Sequence, residues 1–477
     1  MARARAGQML LLATALIVVA GCTGATTSSG PTTSPCGPDA RARCSSVTVP
    51  ADWSHPEKAS IRLRVMVFPG AAARPDQDPL FYLAGFGGAA TGDDDVAWAT
   101  STFADLNQTH DLVLVDQRGT GGSAPQTCPA SVEDRTLAAD AIRAVVRDCL
   151  AGADRTPRHD TTPAAVRDLD RVRAVLGYDR ISLYGISYGV TAALAYLQRY
   201  GDHVRTAVLD SGSLLDVPLW QLVPTSAEGA FDQLAQRCSA APECGGSFDP
   251  ATDLVSVSQD LAAQPARVPV GSTTATVDLP GFLDAVIDDY LATPSTAVLL
   301  PADLHDLAGG RWATVLQRRG ADQRTVEDGA TPVPMQKITI TCSDAWADLS
   351  PSRVARQPAT SFSPAMVAKA AWWDALCSAW PHDPGASGPV RTSVPVVFLN
   401  GTADPADPPA NVAAAAGTMP NALLVPVPGG AHGVLTGCLV PLVTDFVETG
   451  ATRDEAAWTA CTRSLAAQYP PFPQPGA

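Results

Sequence analysis

Short apolar runs that stop at glycine, with helical stretches between them, most restrict how this chain can fold. "PLFYLAG" (79–85), "HDLVLVDQRG" (110–119) and "ISLYG" (181–185) are continuous rather than alternating in polarity. Strands covered on both faces of a sheet read this way. Before the third run, "TTPAAVRDLDRVRAVLG" (161–177) has a threonine cap, Pro163 in its first turn, apolar residues at helical spacing and Gly177 as its stop. After it, "VTAALAYLQRYGD" (190–202) reads as a second helix and "VRTAVLDSG" (204–212) as the next strand. The expectation is an α/β fold with a mostly parallel, doubly wound sheet. Upstream, "SSVTVPADW" and "ASIRLRVMVFPG" alternate in polarity and predict antiparallel strands at one edge.

From 212 to 390 the strand rhythm is lost and helical and loop-rich sequence takes over, which reads as a cap inserted into the sheet domain. "VPVVFLNGTADPADPP" (394–409) restores a buried strand and "ALLVPVPGGAHG" (422–433) supplies the last one. The expected organisation is therefore a first core segment over 36–211, a cap over 212–390 and a second core segment over 391–477. With 477 residues, 46% of them hydrophobic, there is enough material for such a core and insertion.

Ser187 lies between two glycines in "GISYG" (185–189). In a chain with 38 glycines the pattern is weak alone, but here Gly185 ends a buried strand and Gly189 opens a helix. That turn would present the hydroxyl at the sheet edge, with the helix N-terminus aimed at developing negative charge. A serine needs a base. Of seven histidines, His432 stands in a glycine loop just past the last strand, and Asp404 follows the strand before it, with Asp407 as a fallback carboxylate. Read singly, Ser187 could be an ordinary turn serine, His432 a structural histidine and Asp404 a turn cap. Three such residues at three strand ends point instead to a nucleophile, base and orienting acid. No metal or organic cofactor is required by such a site, and no CxxC or HExxH spacing occurs.

Taken together, "LAGFGG" (83–88), "DQRGTGGS" (116–123), "GISYG", "NGTADPADPP" (400–409) and "GGAHG" (429–433) resemble the proline iminopeptidase and tripeptidyl aminopeptidase branch of the α/β-hydrolases, from about residue 45 to the C-terminus. The resemblance implies a serine exopeptidase acting near the free N-terminus of a peptide substrate, with Ser187, Asp404 and His432 as its triad. It places oxyanion donors at the backbone of Tyr188 and of Phe86 or Gly87. The branch usually carries Gly-Gly-Pro-Gly where this chain has Gly85-Phe86-Gly87-Gly88; a glycine-only conformation at Phe86 would strain that loop. The segment "ITCSDAW" resembles one with an acid that receives the substrate's amine, which nominates Asp344, with Glu243 as a weaker candidate and a solvated surface acid as the alternative. Asp116 and Arg118 are expected to form a buried ion pair, and Trp372, Trp373 and Trp380 to pack. A carboxylesterase with the same triad and a non-catalytic binding lipoprotein on a hydrolase scaffold remain alternatives.

The first residues address export. "MARARAGQ" is basic, "MLLLATALIVVA" is apolar over the length of a signal-peptide core, and "VAGC" resembles a bacterial lipobox. The expectation is a lipoprotein signal over 1–21, lipid on Cys22 and a Ser/Thr/Gly/Pro tether over 22–35, with the protein on the outer face of the cell membrane or secreted. Eleven cysteines less Cys22 leave ten, falling in close neighbours along the chain, which suits local disulfides in an oxidising compartment. The formal charge of −15 falls to −17 when residues 1–21, with Arg3 and Arg5 and no acid, are removed. Such a chain is a poor nucleic-acid ligand. The sequence assigns no oligomeric state.

Overall fold

The computed structural model describes residues 34–36, 41–72, 77–135, 137–270, 273–319, 332–345, 350–452, 455–466 and 468–473. The expected signal segment and Cys22 lie outside them, as does all of the tether but Ser34 and Pro35. Among the described residues no helix is long and apolar enough to cross a membrane.

Nine strands form the main sheet: β1 Ser34–Pro35, β2 Arg43–Pro50, β3 Ser60–Phe68, β4 Leu80–Leu83, β5 Leu112–Val115, β6 Ile181–Ile186, β7 Val204–Asp210, β8 Val396–Gly401 and β9 Ala422–Val427. Their spatial order is β1-β2-β3-β5-β4-β6-β7-β8-β9. The first three pairings, through β3–β5, are antiparallel and the remaining five are parallel. The alternating segments thus make the antiparallel edge and the continuous apolar runs make the parallel centre. Along β4, Phe81 and Leu83 pack with the helices Thr162–Leu176 and Tyr188–Tyr200 on one face. Leu80 and Tyr82 pack with the helices Asp93–Thr102, Leu439–Thr449 and Glu455–Ala466 on the other. Both faces are covered, so neither tolerates polar alternation.

From β4 the chain passes first to β5 on one side and then to β6 on the other. A crevice opens where such connections diverge, beyond the carboxyl ends of the strands. The "GFGG" turn ends β4 and Ser187 ends β6, so both sit at that crevice.

Helices dominate the stretch between β7 and β8, beginning with Leu219–Ala240 and Pro250–Ala263, and they enclose a core of their own that includes Trp372, Trp373 and Trp380. A hairpin, Ala266–Val270 with Thr273–Val277, was not foreseen. The stretch around Thr127–Ala151, expected with the sheet domain, buries Cys128, Val132, Ile142, Val146 and Cys149 in this second core. Thr127–Cys128 also pairs with Val333–Pro334. Five disulfides join Cys36–Cys44, Cys128–Cys149, Cys238–Cys244, Cys342–Cys377 and Cys438–Cys461, the near-neighbour pairs of the sequence.

"DQRGTGGS" is structural, with a different pairing from the one expected. Arg118 is fully buried and forms a fork on Asp168, with Nε to Oδ2 and Nη2 to Oδ1 both at 2.7 Å, while its remaining donors reach the carbonyls of Pro50, Ala51 and His159. Asp116 accepts instead from the N–H and hydroxyl of Thr91 and the N–H of Gly122. A guanidinium with five donors is better satisfied by a carboxylate plus carbonyls than by the short acid two residues away, whose oxygens fasten the following loop.

Candidate active site

Ser187 has φ 55° and ψ −123°, a backbone state that non-glycine residues avoid. Close packing holds it there. A Cβ on Gly185 would stand 2.4 Å from the Gly189 carbonyl oxygen, and one on Gly189 would stand 2.1 Å from that of Leu83. Both glycines are therefore required by the approach of strand to helix, and the turn lifts Ser187 to the crevice. Tyr188 is the first residue of the helix, where a backbone N–H has no partner within the helix.

Across the crevice, Gly85 to Gly88 form a turn closed by the Gly88 N–H to the Gly85 carbonyl at 3.2 Å. Gly87, at φ 73°, takes the left-handed position, so Phe86 does not. The strain feared at Phe86 is absent because the turn needs glycine at its third position, not its second. Neither the Phe86 nor the Gly87 N–H bonds to another group among the described residues. The Phe86 ring, 37% exposed, meets Tyr188 edge-on with centroids 5.8 Å apart.

His432 Nδ1 lies 2.9 Å from Asp404 Oδ2 and 3.9 Å from Asp407 Oδ2. Asp404 is fully buried, and its other oxygen accepts the N–H groups of Ala406 and Asp407, each at 2.9 Å. That leaves one oxygen facing the ring, which makes Asp404 the closer acid and Asp407 the second. Burial lowers the proton affinity of His432. The charge and hydrogen bond of Asp404, with the charges of Asp407 and Asp210, outweigh it and push the ring up to about 9. Asp407 is raised to about 7, by burial first and the Asp404 charge second, against the pull of His432 and Ser213. The three side chains offer ligand atoms within 4.8 Å of one another, a spacing a cation could use. Of these atoms, His432 Nδ1 and Asp404 Oδ2 are already committed to each other.

Sequence reading missed Asp210, at the end of β7. Its carbonyl accepts the Ser187 N–H at 2.9 Å, and its carboxylate accepts the N–H groups of Val434 and Leu435 and the hydroxyl of Tyr184. Next to it, Ser211 accepts the Gly433 N–H at 2.8 Å. Asp210 thus fastens the serine turn and the histidine loop to the same strand end. An acid ending an otherwise apolar strand, in "VLDSG", was the available signal. The His432 N–H in turn bonds the carbonyl of Ala292, from the helical insertion, at 3.1 Å.

Ser187, Tyr188, Phe86, His432, Asp404 and Asp407 line one cavity of about 700 Å³, to which Trp220, Ile287 and Ile340 of the insertion also contribute. Asp344 lines it too. It accepts the Ala386 N–H at 2.6 Å and the Thr162 hydroxyl, which in turn receives that of Tyr188 at 2.8 Å. Burial pushes Asp344 up to about 7, against these hydrogen bonds, and no lysine or arginine pairs with it among the described residues. Glu243 is not in the cavity. It sits on the short helix Pro242–Gly245, beside the Cys238–Cys244 disulfide, which turns that helix into the core of the insertion. Trp372, Trp373 and Trp380 pack there and leave the cavity to Trp220, which sequence reading did not single out.

The strand order, the strained serine turn and the buried acid on the histidine define an α/β-hydrolase of the serine type. Residues 78–239 match the family described as alpha/beta hydrolase fold, and residues 363–459 the TAP-like protein family. The chain thus has the α/β-hydrolase fold, and its C-terminal part is similar to the TAP-like proteins. It is 27% identical over 451 residues to a tripeptidyl aminopeptidase of Streptomyces coelicolor, spanning 85% of this chain and 80% of the relative. It is 24% identical over 412 residues to serine protease Hip1 of Mycobacterium tuberculosis, spanning 77% of each. Carboxylesterase B of Mycobacterium tuberculosis is 31% identical over 240 residues, 43% of each chain.

Proposed function

We propose that this serine hydrolase is an exported exopeptidase that cleaves amide bonds near the free N-terminus of peptides. The observation that carries the reading is Asp344: a carboxyl with no cationic partner among the described residues, in the same cavity as Ser187 and His432. A substrate ammonium supplies the missing charge, and the distance from Asp344 to Ser187 then sets how far along the peptide the cut falls. Ser187 Oγ attacks the carbonyl while His432 Nε2 takes its proton, and Asp404 holds the imidazolium through Nδ1. The N–H of Tyr188 and that of Phe86 or Gly87 receive the oxyanion. His432 then passes the proton to the leaving amine, and water, activated by the same ring, releases the acyl group. Five disulfides and the "VAGC" sequence support export with lipid on Cys22.

The partial likeness to a carboxylesterase favours one rival, an ester hydrolase with the same triad. Labelling with a fluorophosphonate, followed by turnover of tripeptidyl and aminoacyl amides with free and acetylated N-termini beside short acyl esters, separates the two. The exopeptidase reading expects label on Ser187 and a strong preference for free amines. Dominant ester turnover, indifferent to an amine, would overturn it.

A further inference from the structure

We propose that Asp407 is a second carboxylate on the base: a positioning residue whose Oδ2 faces, at 3.9 Å, the His432 Nδ1 that Asp404 bonds. The inference rests on the serine-hydrolase reading of the same site and concerns how that site is tuned.

Asp407 is 5% exposed, and its two oxygens are used differently. Oδ1 accepts the Ser213 hydroxyl at 2.6 Å, and Ser213 Oγ accepts from Asn411 Nδ2 at 2.9 Å. The Asp407 carbonyl is held by Asn400 Nδ2 at 2.8 Å, and that same amide reaches the Gly212 carbonyl. Side chains from the ends of β7 and β8 and from the turn Pro409–Gly417 thus fix the carboxyl. Oδ2 accepts no hydrogen bond among the described residues and faces His432 Nδ1 at 3.9 Å. A turn-capping aspartate would spend its oxygens on local N–H groups, as Asp404 Oδ1 does. Asp407 caps nothing.

The charged groups acting on the ring are Asp404 and Asp407 from the loop after β8 and Asp210 from β7, all acidic. With Asp407 ionised the ring stands between two carboxylates, and both charges strengthen its hold on the proton. When Ser187 attacks, its O–H bond breaks and the Nε2–H bond forms. The resulting imidazolium faces two anions rather than one, until the proton leaves with the amine. The consequence is a base strong at the transition state and largely protonated in the resting enzyme at neutral pH.

The test is an NMR titration of the His432 ring in the full chain and in Asp407→Asn, with the pH profile of kcat/KM measured on both. The wild-type ring is expected to titrate near 9. In the variant both the titration and the acid limb move down by about one pH unit. Ser213→Ala, which removes the hydrogen bond favouring the Asp407 anion, moves them the same way by less, and serves if the first variant does not fold. An unmoved ring in a folded variant overturns the inference. The titration needs no turnover, so wild-type protein that resists fluorophosphonate would remove the hydrolase reading while the ring still decides this one.

Discussion

Asp344→Asn tests the functional reading at its weakest joint, because it removes one charge and little volume. In the free protein the carboxyl is held by the Ala386 N–H and the Thr162 hydroxyl, and burial raises it to about 7. An incoming ammonium would replace lost hydration with a charge-assisted hydrogen bond, a contact worth about 1.5–3 kcal/mol. Losing it should reduce kcat/KM for free-amine peptides by roughly ten- to a hundredfold, mainly through KM. N-acetylated substrates and the rate of fluorophosphonate labelling should be unchanged. Stability separates lost binding from lost fold. A carboxyl held at about 7 in the native state against an ordinary 3.8 costs stability progressively as pH rises from 3.8 to 7, and the whole penalty stands above 7. The asparagine variant should therefore melt no lower than wild type at pH 8. Equal losses on free and blocked N-termini, with the melting temperature kept, would refute the assignment of Asp344 to the amine.

The raised His432 makes kcat/KM climb with pH to an acid limb near 9, and the stabilisation it gives, full below 6.5, should fade as pH rises through 9 in thermal melts. Gly189→Ala puts a Cβ 2.1 Å from the Leu83 carbonyl and should cost about 3 kcal/mol or more in urea unfolding, with activity lost as the serine turn opens. Phe86→Ala leaves the backbone N–H groups in place, so kcat should hold within about threefold while KM rises for substrates with apolar residues beside the cut, as measured on paired peptide amides. Replacing Cys342 and Cys377, 35 residues apart, should destabilise by about 4 kcal/mol, against about 2 for Cys238 and Cys244, six apart, if chain entropy dominates.

What the sequence made legible follows from how local each signal is. The strands and the serine turn are written in contiguous residues: "ISLYG" must be covered on both faces, and Gly185 and Gly189 are demanded by backbone atoms within a few ångströms. Ser187, Asp404 and His432 could be nominated because strand ends in a wound sheet converge on one edge, so position along the chain stands in for position in space. Arg118 was mispaired for the opposite reason. Its partner Asp168 lies 50 residues away on a helix, and the nearer acid looks right only until the five donors of the guanidinium are counted. Glu243 lies outside the cavity lining, which sequence could not foretell, since helical texture does not say which face of an insertion borders the cavity.

Asp210 was missed, and Asp407 was named only as a fallback for Asp404, not as an acid acting beside it. Both are aspartates in ordinary loop-like sequence, "LDSG" and "DPADPP", where turn capping is the default use. Their roles depend on what the far end of each carboxyl finds: Val434 and Leu435 for one, the His432 ring for the other. Such acids become conspicuous only when hydrogen-bond donors are assigned and an oxygen is left over. For Asp210 nothing is left over, which marks a clamp. For Asp407 one oxygen remains and faces an imidazole, so the same loop that supplies the orienting acid also supplies the means to set how strongly the base holds its proton.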